Sequence, residues 1–409
     1  MKQILMVEPS FYGVSFAEAG KKLGHRVIAL VSDANNPRKY GYEDFCDDLI
    51  VCDIRDATSM LAAIQASPYA GRIDALLSAT DYASAETARV AETLGLYGLS
   101  YRAAVLARNK DLARGVYRQK GVPSAKYAVV RTWSEAIEGS KKIGYPVVLK
   151  PTNTASSQNV YFVRDEVELA HAFSILRRFK TSYMDFPVRE EYLVEEYLEG
   201  QEFSVEIFVN ESSVVFAEVT EKITTPTPYF VEKFHVFPTS VYKNRKREII
   251  SVAKQALDAI GLINGPAHVE VKLTEDGPKI IEVNGRPGGD HITSDLIKNA
   301  YGVDIFRETI QLYLGEPVVF DVHTHLSSAI GFILSDKDRK NVYLNGVDEA
   351  LSEDGIVRYE IEHRTFSAVN QARSSDDRLG YIIVQDNTPE RAKETIMNII
   401  SKITIQSNG

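Results

Sequence analysis

The sequence predicts a protein of mixed α/β and α+β class, with a doubly wound parallel sheet at its N-terminal end. Short apolar strands alternate with amphipathic helices over residues 1–105, the rhythm of a parallel sheet with helices on its faces. Beyond residue 105, pairs of strand-like runs flank short turns and predict hairpins. A chain of 409 residues also exceeds what one hydrophobic core serves, so we expect several domains.

Composition and charge narrow the class of function. The chain is 44% hydrophobic and 25% charged, as in ordinary globular proteins. Its net charge of −9 argues against a nucleic-acid partner. Cys46 and Cys52 are the only cysteines and favour a reducing compartment. The pattern of residues 1–8 predicts a buried strand rather than a signal peptide. No apolar segment approaches the ~20 residues needed to span a membrane. We therefore expect a cytoplasmic protein without a membrane partner.

The N-terminal region follows a strand–helix order. The predicted strands are Ile4–Val7, Arg26–Val31, Leu49–Cys52 and Ala75–Ser78, and the predicted helices are Gly13–Leu23 and Ser84–Leu94. The turn Phe11-Tyr12-Gly13 lacks the G-x-G-x-x-G fingerprint, so dinucleotide binding is not supported. Loops at the carboxyl ends of parallel strands hold ligands, which makes Ser10, Asp33 and Asp81 candidates for substrate contacts. Helix capping and turn formation explain these three residues more simply.

The remaining elements follow in sequence. The predicted helices are Ala103–Lys120, Trp133–Ile143, Val167–Arg178, Lys246–Ile260, Thr293–Leu314 and Pro389–Lys402. The predicted strands are Ala125–Val130, Pro146–Lys150, Val160–Arg164, Tyr192–Tyr197, Phe203–Val209, Val214–Glu221, Ser327–Leu334 and Tyr381–Val384. Phe203–Val209 and Val214–Glu221 form a predicted hairpin. No internal repeat interrupts this order.

A second predicted hairpin carries the chemistry. The runs His268–Leu273 and Lys279–Asn284 alternate apolar and polar residues around the turn Thr274–Pro278. If Leu273 pairs with Lys279, Glu270 faces Glu282 and His268 faces Asn284 on one side of the sheet. The apolar partners on the opposite side are then Val269, Val271, Ile281 and Val283.

Opposed carboxylates on this hairpin require neutralisation. Directly opposed Cβ atoms lie roughly 4.5–5.5 Å apart, so one carboxylate is protonated or a cation lies between them. With the amide of Asn284 and the guanidinium of Arg286 nearby, the set predicts a Mg²⁺–phosphate site. A solvated polar face on an ordinary hairpin is the alternative that this segment alone leaves open.

Four segments follow one another in the sequence: Arg108-Asn109-Lys110-Asp111, Tyr145 to Pro151, Val194 to Glu206, and Glu282 to Pro287. Together they resemble the ATP-grasp superfamily, whose members clamp ATP between two α+β subdomains. The resemblance covers residues 106–315 and implies a mobile lid over about residues 120–190. Residues 1–105 and 316–409 suit the flanking domains of that superfamily: a pre-ATP-grasp βαβ domain and a small C-terminal α/β domain.

The resemblance implies residues that bind ATP. Lys110 and Lys150 match phosphate contacts, although a lone lysine at the end of a strand is usually only exposed to solvent. Glu195 and the backbone that follows it match the hinge that hydrogen-bonds adenine, and Glu202 matches the acceptor of the ribose hydroxyls. The remaining hinge and loop residues implied to touch ATP are Tyr197, Leu198, Ser156 and Ser157. Family members carry a glycine-rich loop over the phosphates, whereas residues 152–159 here contain no glycine.

The resemblance also implies a metal centre and a catalytic cation. Glu270, Glu282 and Asn284 match the metal ligands of the superfamily, which implies ATP with two Mg²⁺ ions that Mn²⁺ can replace. Arg286 matches a basic residue that stabilises the transferring phosphoryl group. His268 faces the same way, and we weigh substrate binding equally with a histidine satisfied within its strand.

The implied reaction activates a carboxylate as an acyl phosphate, which an amine then attacks, with release of ADP and phosphate. Gly285 to Ile292 and Leu379 to Glu390 are similar to L-amino-acid ligases, the bacilysin-type dipeptide synthetases. A dapdiamide-type amide ligase of natural-product biosynthesis also fits. In this subgroup the residues implied to contact substrate are Lys222, His268, Gly289 and His291, and the segment Glu218–Pro238 is expected to shape the amino-acid pocket.

Two other functions stay open. One is a purine-pathway or biotin carboxylase-like ATP-grasp enzyme, and the other is a non-catalytic ATP-binding scaffold. A scaffold need not keep both metal carboxylates, so Glu270 and Glu282 argue against the second. The expected partners are a small-molecule carboxylate and an amino acid, and a homodimer is the family-level expectation.

Overall fold

The computed structural model describes residues 1–407 and begins with a four-stranded parallel sheet of order β3-β2-β1-β4. Its elements are β1 Gln3–Val7, α1 Val14–Lys22, β2 Arg26–Val31, α2 Asn36–Tyr40, β3 Asp48–Val51, α3 Ala57–Ala66, β4 Ala75–Ser78 and α4 Ser84–Thr93. Strands β1 and β2 are buried on both faces, as expected of a parallel sheet covered by helices, whereas the edge strand β3 is largely exposed. The predicted N-terminal sheet is confirmed.

A small antiparallel sheet forms the next unit, which contains the segment predicted to be a lid, about residues 120–190, and we keep the name lid for this segment. Its strand order is β5-β8-β6-β7. The elements of this part are α5 Tyr101–Arg108, α6 Lys110–Lys120, β5 Tyr127–Val130, α7 Trp133–Ile143, β6 Val147–Pro151, β7 Tyr161–Val163, α8 Glu166–Leu176 and β8 Tyr192–Glu196. The single helix predicted over 103–120 is wrong. Asn109 has extended backbone (φ −113°, ψ 101°), which ends α5 and lets Lys110 begin α6.

The central sheet follows the lid and carries the predicted hairpin. Its elements up to residue 313 are β9 Gln201–Asn210, β10 Ser213–Thr224, β11 Glu232–Phe237, α9 Lys243–Ile260, β12 Gly265–Thr274, β13 Gly277–Asn284, α10 Ile297–Tyr301 and α11 Ile305–Tyr313. Strand β11 was not predicted. The continuous helix predicted over 293–314 is also wrong: a π-helical turn at Ile292–Leu296 precedes α10, and left-handed Gly302 (φ 72°) ends α10 before α11.

The C-terminal part extends the same central sheet. Its elements are β14 Ser327–Phe332, β15 Arg339–Asn345, α12 Val347–Leu351, β16 Ile356–Glu360, β17 Thr365–Val369, β18 Tyr381–Asp386, α13 Pro389–Lys402 and β19 Thr404–Ser407. The eight-stranded order is β13-β12-β9-β10-β11-β14-β18-β16, and β17-β15-β19 form a separate small sheet. Sheet hydrogen bonding thus crosses the boundary predicted at residue 316, and the three-domain division stays a proposal.

Apolar packing joins the N-terminal sheet to the central part. Phe16 of α1 meets Phe306 of α11 edge to face, with ring centroids 4.7 Å apart. Both rings belong to a buried cluster that also contains Ile330 and Ile383 of the central sheet. Edge-to-face pairs stabilise beyond their buried area. This packing brings the carboxyl ends of β1 and β4 to the cleft described below. Among residues 1–407, no helix is both long and apolar enough to cross a membrane.

We expect Gly200→Ala to destabilise the protein more than Gly121→Ala. Both glycines have positive φ, 140° and 72°, where a side chain costs roughly 1–2 kcal/mol. A Cβ at Gly200 would also lie 2.1 Å from the carbonyl oxygen of Leu273, whereas Gly121 has open space. Urea denaturation measures the two losses. Equal losses would contradict the steric role of Gly200 between β9 and β12.

Candidate active site

One cleft of about 410 Å³ lies between the lid and the central sheet. It brings together fifteen of the sixteen predicted site residues. They are Lys110, Lys150, Ser156, Ser157, Glu195, Tyr197, Leu198, Glu202, Lys222, His268, Glu270, Glu282, Asn284, Gly289 and Arg286. The sixteenth, His291, does not line the cleft. Their individual roles stay predictions, since proximity alone assigns none.

The hairpin β12–β13 has the predicted pairing at its functional end. Glu270 lies opposite Glu282, and His268 lies opposite Asn284. The predicted turn is wrong, because Thr274 pairs with Gly277 and Leu273 pairs with Pro278. A register shift between Glu270 and Val271 absorbs the difference, as a β-bulge does by adding one residue to a strand.

The bulge changes which isoleucine enters the core. Ile280 is fully buried in the apolar cluster beneath the sheet, whereas Ile281 lines the cleft. The prediction that Ile281 packs with Val269 and Val271 is therefore wrong. The extra residue shifts the pleat by one position, and a one-residue shift moves a side chain to the other face.

Each of the two opposed carboxylates has a lysine partner. The Nζ of Lys222 lies 2.7 Å from Glu270, and the Nζ of Lys110 lies 3.0 Å from Glu282. Burial by itself would raise the pKa of Glu270, but Lys222 and His268 hold that pKa well below its ordinary value. Lys222 also lies 3.3 Å from Glu202 and 3.5 Å from Glu232. These carboxylates outweigh burial and raise the pKa of Lys222 well above its ordinary value.

The donor set fits a metal ion that phosphate oxygens complete. Within residues 1–407, no group of three or more His, Cys, Asp or Glu side chains is arranged to hold a metal alone. Two carboxylates and the amide of Asn284 lie on one face of the hairpin. Mg²⁺ is typically bound by one or two carboxylates together with substrate phosphates and water. Glu270, Glu282 and Asn284 would hold such an ion once a nucleotide supplies the remaining oxygens.

A buried ion cluster lies at the lid side of the cleft. The carboxylate of Glu195 accepts from Arg114 Nε at 2.6 Å and lies 2.5 Å from Lys150 Nζ. Burial alone would raise the pKa of Glu195, but Arg114 and Lys150 lower it to about 2. The sequence implied that Glu195 helps to bind adenine, but here its carboxylate is occupied by two cations. The hinge backbone at Tyr197 and Leu198 remains available along the cleft.

Sequence reasoning missed Arg114, which connects this cluster to the hairpin. Its Nη2 donates to the carbonyl oxygen of Ile281 at 2.7 Å, the residue displaced by the bulge. Arg114 is 2% exposed. It lies four residues after Lys110 on α6, and residues four apart share one helix face. This four-residue spacing from Lys110 was the sequence signal that could have identified Arg114 as a site residue.

The glycine-free loop adopts the backbone conformation that glycine favours. Ser156, Ser157 and Asn159 have φ of 56°, 54° and 58°. Non-glycine residues pay an energetic cost in this left-handed region, although Asn tolerates it better than most. Lys110 Nζ donates to the carbonyl oxygen of Thr154 at 2.6 Å, which fixes the base of the loop. The loop therefore keeps a backbone conformation typical of glycine without containing glycine, and its backbone is strained.

Arg286 is held by residues of the N-terminal sheet. Its Nη2 lies 3.0 Å from the carboxylate of Asp81, and its guanidinium lies 5.0 Å from the ring centre of Tyr12. Despite burial, Arg286 and Arg108 lower the pKa of Asp81. Within the described residues, Arg286 Nε and the Tyr12 hydroxyl have no hydrogen-bond partner. Asp81 is thus a cleft residue rather than only a turn residue.

The other two candidates of the N-terminal loops do not reach the cleft. Ser10 is fully buried, and its hydroxyl donates to the carbonyl oxygen of Glu8 at 3.4 Å. Asp33 accepts from the backbone N–H of Asn35 at 2.9 Å. Turn formation, the simpler explanation, accounts for Asp33.

Asp290, rather than the neighbouring His291, lines the cleft. Asp290 and His291 both have left-handed backbone, with φ of 52° and 60°. The role of His291 in substrate binding stays a prediction. His291 Nδ1 lies 2.8 Å from Asp295, and its ring centre lies 4.3 Å from that of Tyr381. Asp290 lies 2.7 Å from Arg378, so a residue of the C-terminal part reaches the site.

His268 is fixed from behind by Glu206. Its Nδ1 lies 2.8 Å from Glu206, and its Nε2 lies 3.6 Å from Glu270. Although burial opposes the charged ring, Glu206 and Glu270 raise the pKa of His268 to about 9. A Cβ at Gly288 would lie 2.6 Å from Glu206 Oε2, so any larger residue there would displace this pair. These contacts support the interpretation of His268 as satisfied within its sheet.

The segment Glu218–Pro238 contributes to the cleft through strands β10 and β11 and the loop between them. Lys222, Phe230, Glu232 and His235 line it. Phe230 lies 6.2 Å from Tyr197 between ring centres, near the hinge. His235 lies 3.1 Å from Asp290.

Comparison with known proteins agrees with this arrangement. A profile of the ATP-grasp domain matches residues 143–295, and a profile of L-amino acid ligase C-terminal domain 2 matches residues 342–407. The crystal structure of an L-amino acid ligase from Bacillus licheniformis superposes with a TM-score of 0.82 at 18% identity, covering 100% of this chain and 99% of that one. The fold and site define an ATP-dependent ligase that forms C–N bonds, built on the ATP-grasp fold.

Relatives found by sequence show to which family of ATP-grasp ligases the chain belongs. The alanine–anticapsin ligase of Bacillus subtilis is 30% identical over 335 residues, which cover 75% of this chain and 70% of that protein. An uncharacterized protein of Sinorhizobium fredii is 27% identical over 406 residues, covering 98% of this chain and 82% of that protein. The chain belongs to the L-amino-acid ligase family of ATP-grasp enzymes. ATP-grasp enzymes use ATP and divalent metal ions.

We expect acid to remove a stabilising contribution of Glu195. Its pKa falls from 4.5 in an unfolded chain to about 2 in the fold, so its ionised form contributes about 3 kcal/mol at neutral pH. That contribution is complete above pH 4.5 and is lost as the pH falls towards 2. Urea unfolding at pH 7, 5 and 4 should show a shallower acid dependence for Glu195→Gln than for wild type. Parallel pH curves would contradict the buried ion cluster.

We expect Ser157→Gly to be tolerated and Ser157→Val to be harmful. Glycine occupies left-handed backbone without the steric cost, although its greater freedom when unfolded offsets part of the gain. Unfolding free energy should therefore change by less than about 1 kcal/mol for glycine. Valine should lose more than about 1 kcal/mol and weaken ATP binding. Thermal unfolding and nucleotide titration measure both effects. Ser174→Val, on the exposed face of α8, is the matched control.

Proposed function

We propose that this protein joins two amino acids, or an amino acid and a related carboxylate, into a dipeptide or amide at the expense of ATP. The observation that carries the proposal is the opposed pair Glu270–Glu282 beside Arg286 in one cleft. Two carboxylates, three cations and an amide converge there, which is the environment that phosphoryl transfer needs. Membership of the L-amino-acid ligase family supports this use of the cleft.

The lid end of the cleft is the proposed place of the nucleotide. The apolar side chains Val148, Leu198 and Ile281 line it, and the hinge backbone after Glu195 runs beside them. Glu202 lies on β9 next to Lys222 and Lys272, at 3.3 and 3.2 Å, and would accept the ribose hydroxyls. Lys150 and Lys110 lie between this end and the hairpin, where they would contact the phosphates as point charges.

The hairpin end is the proposed place of phosphoryl transfer. When bound, Mg²⁺, or Mn²⁺ in its place, neutralises phosphate charge at Glu270, Glu282 and Asn284. The guanidinium of Arg286, held by Asp81, faces the carboxylate that receives the phosphoryl group. The oxygen of that carboxylate attacks the γ-phosphorus, and the bond from phosphorus to ADP breaks. The amine of the second substrate then attacks the acyl carbon, loses a proton, and releases phosphate.

The biological role that we propose is natural-product synthesis. The relative from Bacillus subtilis is named for the ligation of alanine to anticapsin, and a dipeptide product of that kind suits antibiotic biosynthesis. A dapdiamide-type amide is a related product of the same chemistry.

A direct assay tests the proposed reaction. The protein is incubated with ATP, Mg²⁺ and pooled L-amino acids, and phosphate, ADP and AMP are measured. Product phosphate with ADP, together with a dipeptide detected by mass spectrometry, is the expected result. Formation of AMP would indicate adenylate chemistry, and no product with any amine–carboxylate pair would overturn the proposal.

We expect Glu282→Gln to lower kcat by at least ~100-fold, because the amide removes one of two negative charges at the metal site. The variant should stay folded, since Lys110 retains its bond to Thr154. Glu275→Gln, on the exposed turn of the same hairpin, is the matched control and should keep full activity. Circular dichroism confirms folding of both variants. Retained turnover in Glu282→Gln would refute the metal assignment.

A further inference from the structure

The end of the cleft beyond Arg286 is lined by aromatic and apolar side chains from two separate parts of the chain. Phe11, Tyr12 and Tyr82 come from loops that follow β1 and β4, and Tyr183 and Met184 come from the lid loop before β8. We call these five residues the aromatic wall. The functional residues predicted from sequence include none of them.

The wall leaves the ring of Phe11 exposed in the cleft. Phe11 is 58% exposed, although its ring centre lies 5.1 Å from Tyr40 and 6.3 Å from Tyr183. Tyr82 and Tyr183 meet edge to face at 5.9 Å. An exposed phenyl ring inside a cleft favours an apolar ligand, because burying such a ring against another apolar group is favourable.

The hydroxyl groups of two wall tyrosines are already used within the protein. Tyr183 donates to Asp376 at 2.5 Å, and the Tyr82 hydroxyl lies 2.6 Å from Ser182 Oγ. The Tyr82 oxygen also accepts from the backbone N–H of Ala155 at 3.3 Å. These bonds satisfy two of the three hydroxyl groups of the wall, whereas the hydroxyl of Tyr12 is buried without a hydrogen-bond partner within the described residues. The ring carbons and the side chain of Met184 make up the apolar part of the wall.

Two residues of the wall have strained backbone. Phe11 and Met184 have left-handed φ of 51° and 54°, a conformation that non-glycine residues adopt at a cost. Strained residues of this kind cluster at ligand sites, where the surrounding structure determines them. Both strained positions contribute a side chain to the same wall.

The position of Arg286 indicates which of the two substrates would contact the wall. Its guanidinium lies 5.0 Å from the centre of the Tyr12 ring, so the wall begins directly beside the cation proposed to face the activated carboxylate. The side chain of that same substrate therefore extends towards Phe11, Tyr183 and Met184. The ion pair between Arg286 and Asp81 separates the wall from the metal carboxylates on the hairpin.

We propose that the aromatic wall is the side-chain subsite of the amino acid whose carboxylate is activated, and that it selects large apolar or aromatic side chains. This inference depends on the proposed ligase function. In the resulting dipeptide the activated amino acid is the N-terminal residue, so the wall sets the identity of that residue.

The order of residues in the product tests the subsite. Wild-type protein is incubated with ATP, Mg²⁺ and an equimolar pair of phenylalanine and alanine, and tandem mass spectrometry distinguishes Phe-Ala from Ala-Phe. We expect Phe-Ala to exceed Ala-Phe at least ~10-fold, since single apolar groups in such pockets discriminate 10-fold or more. Leucine and methionine should replace phenylalanine, whereas aspartate and lysine should not. Predominant Ala-Phe, or equal amounts, would overturn the inference.

Variants of the wall provide an independent test. Phe11→Ala and Met184→Ala should each reduce the Phe-Ala to Ala-Ala ratio by several-fold through KM for phenylalanine, with little change in KM for ATP. Phe11→Leu should restore most of the preference. Tyr242→Ala, at an aromatic ring that is 83% exposed and outside the cleft, is the control. An unchanged ratio in both wall variants would overturn the subsite, whereas absence of every ligation product would overturn the proposed function itself.

Discussion

Two carboxylates that face each other across a hairpin set the main constraint on this structure. Glu270 and Glu282 are directly opposed on β12 and β13, and like charges at that spacing are unfavourable unless cations neutralise them. Lys222 and Lys110 do so from two different elements, a strand of the central sheet and the first residue of α6. The lid connection, the central sheet and the hairpin are therefore held together by one set of charges.

The same charge balance extends to both ends of the cleft. On the lid side Glu195 lies between Arg114 and Lys150, and on the opposite side Asp81 holds Arg286. Each buried charge has an opposite partner, which is the condition under which burial of charge is tolerated. A polyanionic nucleotide with its metal ion would redistribute these partners without leaving a charge unpaired. The two ends of the cleft differ in character, since Glu195, Arg114 and Lys150 form an ionic cluster at one end and aromatic side chains lie beyond Arg286 at the other.

Sequence reasoning located the hairpin of the candidate site because strand pairing has a simple period, whereas the other candidate residues followed from the resemblance to the ATP-grasp superfamily. Alternation alone put Glu270 opposite Glu282, and that pairing is observed even though the turn residues were wrong. The bulge at Ile281 could not be foreseen, since bulges depend on contacts such as the one between Arg114 and the Ile281 carbonyl. Asp290 was missed in favour of His291 for a related reason. Two consecutive residues with left-handed backbone change the directions of the side chains, and this conformation cannot be predicted from the residue types. Predicted helices failed only where Asn109 and Gly302 break them.

The sequence by itself determined the class of fold, the four strands of the N-terminal sheet and the pairing of Glu270 with Glu282. These follow from local periodicity and from the residue types that metal and phosphate require. Only the tertiary structure decided that the C-terminal part continues the central sheet and that Arg378 forms an ion pair with Asp290. It also decided that Asp81 and Tyr12 of the N-terminal sheet meet Arg286. Such contacts join residues more than 80 positions apart, and only packing between separate elements brings them within bonding distance.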